Sequence, residues 1–91
     1  MNEKLTTFIA KDEAMVTANW IISKVNNEPS IKTIELKARG FRTYKAIDVL
    51  EILKRWLKLK KTSIKTHTAN LINRNNKEER VSVITIKLER K

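Results

Sequence analysis

Lys37, Arg39, Arg42 and Lys45 fall within nine residues, and the only glycine of the chain, Gly40, sits among them. Cations spaced this closely bind phosphate when backbone N–H groups point the same way, as they do where a helix begins. A second group, Arg74, Lys77 and Arg80, brackets a polar, asparagine-rich stretch, and Lys11 follows the first apolar run. The plain alternative for the first group is a solvated basic turn, and for the second a floppy loop whose charges balance Glu78 and Glu79. Enzyme chemistry has little to work with. His67 is the sole histidine and stands among threonines, so no histidine cluster can hold a metal. Asp48 and Glu51 share a helix face at i, i+3, but Lys54, Arg55 and Lys58 stand there too, and surface ion pairs are the simpler reading. No Gly-rich phosphate loop, serine nucleophile elbow or DxD-type metal site occurs. Without cysteine, disulfides, thiolate zinc sites and cysteine nucleophiles are excluded. The expectation is a non-enzymatic binding protein with no cofactor and no metal.

The elements that must position these cations follow from periodicity. Residues 4–10 read as a short first strand, and Asp12 is placed to cap a helix over Ala14–Asn26, with Glu13 favourable for its dipole. Ala14, Met15, Ala18, Ile21, Ile22 and Val25 cluster on one face of that helix, and Val16 and Trp20 fall off it. Residues 26–30 form a turn with the only proline. Ile34, Leu36 and Ala38 alternate with Glu35 and Lys37, which predicts a strand. Gly40 marks a backbone position that needs positive φ or close approach, and Thr43 is the expected N-cap of a second helix. That helix carries Ala46, Val49, Leu50, Ile52, Leu53, Trp56 and Leu57 on an arc of about half its circumference. Packing on a sheet needs a narrower stripe, so a second subunit is expected to cover the excess; the alternative is a deeply buried central helix. The helix is expected to run into Lys58–Lys61, where cations suit a C-terminus, with a nucleic-acid contact as the equal alternative. Residues 62–71 predict a strand, 72–79 a loop longer than a simple hairpin needs, and 80–89 a strand. Ile84, Ile86 and Leu88 face one way along it, Val81, Val83 and Thr85 the other.

The order is therefore β-α-β-α-β-β. It predicts an α+β two-layer domain spanning residues 1–91, a four-stranded mixed sheet with both helices on one face. Twenty Lys and Arg against ten Asp and Glu give a net charge of +10, which favours polyanionic partners. The excess is uneven: residues 1–45 carry eight basic and five acidic side chains, residues 46–91 twelve and five. A hydrophobic content of 41% is too high for a disordered tail. No apolar run approaches a membrane span or a signal-peptide core, so a soluble, untargeted protein is expected. Scarce Gly and Pro, no Gln and many Lys, Glu and Ile lean toward a thermophilic source.

Lys37-Ala38-Arg39-Gly40, then Lys45-Ala46-Ile47-Asp48 and Glu51-Ile52, resemble the signature block of the Alba family. Arg80-Val81-Ser82 with Ile84-Thr85-Ile86 is similar to that family's last strand, and Ile9-Ala10-Lys11 with Met15 to its first strand and loop. The matches span nearly the whole chain in order. The resemblance implies a fold like that of the C-terminal domain of translation initiation factor three. It also implies an archaeal chromatin protein, cytoplasmic and nucleoid-associated, that coats DNA and RNA as a homodimer or heterodimer and reaches toward the minor groove with hairpin arms. Lys11, Lys37, Arg39, Arg42, Lys45, Arg74, Lys77 and Arg80 are then the expected nucleic-acid contacts. Leu50, Leu53, Trp56, Leu57, Val81 and Val83 are the expected dimer or dimer–dimer contacts.

The chain also departs from the family. Asp12 and Glu13 stand where the family tends to have a second basic residue and a proline. Phe41 stands where it tends to have arginine, and the hairpin loop lacks the family's glycines and carries Glu78 and Glu79. These changes imply weaker binding or a shifted preference. They also motivate a second reading, a divergent paralogue that heterodimerises with another Alba-like chain and tunes its packing, or an RNA-binding accessory protein. An RNA-processing enzyme is a third class, with no acid–base or metal constellation behind it. Backbone-led binding with little sequence preference is expected. Five aromatic residues and no RNP-like motif argue against a base-stacking platform.

Overall fold

The computed structural model describes residues 3–91. The elements are β1 (Glu3–Phe8), α1 (Ala14–Asn27), β2 (Ile31–Arg39), a 3₁₀ turn (Gly40–Arg42), α2 (Thr43–Trp56), β3 (Leu59–Ile72) and β4 (Glu78–Arg90). The four strands form one sheet in the order β1-β2-β4-β3. β1 runs parallel to β2, through the α1 crossover that parallel pairing requires, and β4 is antiparallel to both its neighbours. The β-α-β-α-β-β order and the mixed sheet are those predicted.

Alternation decides the core. Ile34, Leu36 and Ala38 pair across β2 and β4 with Leu88, Ile86 and Ile84, and all six are buried. Ala18, Ile21 and Val25 of α1 and Ala46, Val49, Leu50 and Leu53 of α2 close over them. The i, i+3, i+4, i+7 spacing of the α2 set is what a helix lying on a sheet presents. Arg90 ties the far end together: its Nη1 donates to the Ile31 carbonyl at 2.8 Å and to the Val25 carbonyl at 3.4 Å.

Three helix boundaries differ from the sequence reading. Asp12 does not cap α1. The cap position is Glu13, with extended backbone and no side-chain cap bond, so Asp12 stands one residue too early to reach the first free N–H. Thr43 is the first residue of α2 rather than its cap. The chain already coils through the 3₁₀ turn, and Thr43 N donates to the Gly40 carbonyl. Gly40 does have the positive φ expected, 58°. Finally, α2 stops at Trp56, because Leu57 is extended at φ −120°. Leu59–Lys61 are drawn into β3 by pairing with Arg90 and Glu89, so these lysines lie in a strand and not at a helix C-terminus.

The last two strands outrun the sheet. β2 pairs with β4 only from Thr33↔Glu89 to Arg39↔Val83, whereas β3 follows β4 on to Ile72↔Glu78. The pairs from Thr68↔Ser82 to Ile72↔Glu78 therefore project as a free two-stranded arm about 17 Å long, at roughly 3.4 Å per residue. Its connection is Asn73–Lys77, shorter than the 72–79 loop expected. Asn73 closes it. Its Oδ1 accepts from the N–H of Asn75 at 2.9 Å and of Lys77 at 3.1 Å, and its Nδ2 donates to Glu79 Oε1 at 2.9 Å. Asn76 takes the left-handed conformation, φ 62°, which asparagine tolerates in place of glycine.

Candidate nucleic-acid interface

Parallel β1 and β2 leave the sheet at the same end, and antiparallel β4 enters there. The topology thus gathers three basic segments at one end: the loop carrying Lys11, the end of β2 and its turn carrying Arg39 and Arg42, and the arm carrying Arg74, Lys77 and Arg80. Among the described residues, none of these six is in an ion pair. Unneutralised cations distributed over an arm and two loops are suited to track a line of phosphates.

Two of the expected contacts are partly engaged within the chain. Lys37 Nζ lies 3.4 Å from Glu35 Oε1, and Glu35 is shared with Lys4 at 3.6 Å. Lys45 Nζ donates to the carbonyls of Ala10 at 3.1 Å and Lys11 at 3.3 Å. Two of its three protons are therefore used to bind the first loop to α2. Arg42 is steadied from below, with its guanidinium carbon 5.7 Å from the centre of the Phe41 ring, within cation–π range.

Lys37, Arg39 and Arg42 also converge on one recess of about 470 Å³, whose other walls are Phe8, Ile9, Ala10, Ala38 and Val83. Phe8 was not among the expected site residues. The signal was present in the alternation Lys4-Thr6-Phe8 against Leu5-Thr7-Ile9, which puts Phe8 on the face away from the helices.

The residues expected at dimer or dimer–dimer contacts are spread over several parts of the molecule. Leu53 is fully buried and Leu50 is 4% exposed, so α2 uses them for its own core, and Ile52 is partly buried against it. Leu57 packs against that core as well. Trp56 is 70% exposed but ends α2, about 21 Å from its start at ~1.5 Å per residue. Val81 lies in the arm, beyond β2, at the other end of the molecule. Val83 borders a different surface. No helix covers the helix side of β3: Thr62, Ile64 and Thr66 are exposed there while their β4 partners Leu88, Ile86 and Ile84 are buried. Between this strip and α2 runs a recess of about 430 Å³ lined by Thr43, Tyr44, Ile47, Thr66, Ser82, Val83 and Ile84.

The family model for Alba matches residues 6–70, and the chain belongs to the Alba family. Among solved structures, Alba from Thermoplasma volcanium superposes with a TM-score of 0.80 at 30% identity, over 93% of this chain and 99% of that one. ALBA1 from Trypanosoma brucei shares the fold, with a TM-score of 0.68 at 14% identity over 99% of this chain and 72% of that one. No curated protein matches the sequence. Alba proteins bind nucleic acids and form oligomers, and among the described residues no helix here is long and apolar enough to cross a membrane.

Proposed function

We propose that residues 1–91 act as a single, non-enzymatic domain that coats and compacts double-stranded DNA and RNA as a dimer, through backbone contacts and with little sequence preference. The observation that carries this reading is the convergence of Lys11, Arg39, Arg42, Arg74, Lys77 and Arg80 at one end without internal ion partners. Phosphate contacts of this kind position a protein on a duplex but read no sequence. The dimer surface we assign is the uncovered strip of Ile64 and Thr66 together with Tyr44 and Ile47. A second copy seated there directs two arms outward from one body. The place of action is the chromosome, in the cytoplasm of an archaeal cell.

One observation favours the second reading. Asp12 and Glu13 directly follow Lys11, and Glu78 and Glu79 stand in the arm, so the duplex-facing end is less cationic than its arginines alone suggest. A chain of this kind suits a heterodimer in which the partner supplies further cations. Binding of the purified chain alone to duplex DNA and duplex RNA, followed by anisotropy, separates the two. Binding alone supports the first reading, binding only with a second Alba-type chain supports the other, and binding in neither case overturns both.

A further inference from the structure

The face of the sheet away from the helices carries a second constellation, fixed by strand register. Phe8 lies beside Lys37, Lys37 beside Thr85 and Thr85 beside Lys65, one row across all four strands. In the next row toward the arm, Arg39 lies beside Val83. Phe8 is 71% exposed, an apolar ring set in a charged face. It lines the recess described above beside Ala10 and Val83, together with the cations Lys37, Arg39 and Arg42, and no acidic residue lines it.

A duplex has little use for this arrangement, since its base faces are stacked inside and only phosphates and groove edges are presented. An apolar ring set among cations matches a group with a flat π face on one side and phosphate on the other. The recess, at about 470 Å³, is within the usual range for small-ligand sites of roughly 300–1,000 Å³. We infer that it takes one unpaired nucleotide of a single strand, with the base against Phe8 and the phosphates on Arg39 and Arg42. Lys65, in the same row, carries the strand onward across the sheet. Stacking of this type tolerates any base, because every base has a π face. The inference rests on the nucleic-acid reading above and adds a ligand class to it. Duplexes use the arm and loops; single strands also use the sheet face.

The test compares a short labelled thymidine strand, the same strand made abasic, and a duplex of equal length at one salt concentration; a uridine strand is the RNA arm. Wild-type protein is expected to prefer the thymidine strand to the abasic one by about tenfold, and Phe8→Ala to lose that preference, with duplex affinity held within about twofold. Phe8→Tyr, which keeps a ring, is expected to retain the preference. The inference is overturned if Phe8→Ala binds the thymidine strand as the wild type does, loses duplex affinity equally, or changes the oligomeric state in light scattering. The abasic comparison needs no variant, so a misfolded Phe8→Ala protein leaves the test standing. If the wild type binds duplex DNA but does not distinguish the two strands, this inference fails alone. If it binds neither duplex nor strand, the nucleic-acid reading fails with it.

Discussion

Lys45 Nζ donates to the carbonyl oxygen of Ala10 at 3.1 Å, across 35 residues of chain. The bond fastens the loop that carries Lys11 to the helix that follows Gly40. Two basic segments supplied by different strands are thereby held at a fixed separation before any ligand arrives. Preorganisation of this kind lowers the ordering cost of binding.

Removing that link is expected to loosen the loop more than the fold. Lys45→Met keeps the aliphatic stem and deletes the donor. Denaturant unfolding should show a loss of about 1 kcal/mol, the net worth of a typical hydrogen bond. Amide exchange at Lys11–Glu13 should accelerate while β2 and β4 remain protected. Unchanged exchange in the loop would show that the bond does not hold it.

The proposed dimer surface on β3 separates two effects that the helix pattern alone merges. Leu53→Ala removes buried volume and should cost about 2–5 kcal/mol of stability. Ile64→Glu and Ile47→Glu change partly exposed positions, so the protomer should stay folded while light scattering shows monomer where the parent is a dimer. A dimer that survives both glutamate variants would rule this surface out.

The arm offers a third test. Asn73→Ala deletes the acceptor for two backbone N–H groups and the donor to Glu79. Because the arm projects beyond β2, the change should leave global unfolding within about 0.5 kcal/mol of the parent. Duplex DNA affinity should fall by a few fold, since a frayed tip presents Arg74 and Lys77 with added ordering cost. Equal affinity in the variant would mean that arm geometry is irrelevant to binding.

Strand alternation made most of the fold legible in the sequence. Ile34-Leu36-Ala38 and Ile84-Ile86-Leu88 announced both buried strands, and Gly40 announced the turn with its positive φ. What periodicity could not show was which neighbour covers a face. The wide apolar arc of α2 implied a second subunit, yet α1 and the sheet together bury Leu50 and Leu53. A further uncovered surface, on β3, was hidden because its threonines look polar and only Ile64 marks it. Helix ends were missed for a local reason: the 3₁₀ turn after Gly40 took the capping role from Thr43. The basic residues of the candidate site were legible as types, but their gathering at one end depends on the parallel β1–β2 pairing. Phe8 went unnoticed because an aromatic residue in a short apolar strand is counted toward the core first, although its alternation with Leu5, Thr7 and Ile9 places it on the other face.

The most direct test of the central claim is the salt dependence of duplex binding by the wild type and by Arg39→Ala/Arg42→Ala. Backbone-led binding releases counterions, so log affinity should fall linearly with log salt, with a slope of about −0.9 for each phosphate neutralised. The wild type should lose orders of magnitude in affinity between low and physiological salt, and scrambling the probe sequence should change little. The double variant should bind more weakly, with a slope shallower by about two. A slope that is unchanged in the variant, or a wild-type affinity indifferent to salt, would contradict the account.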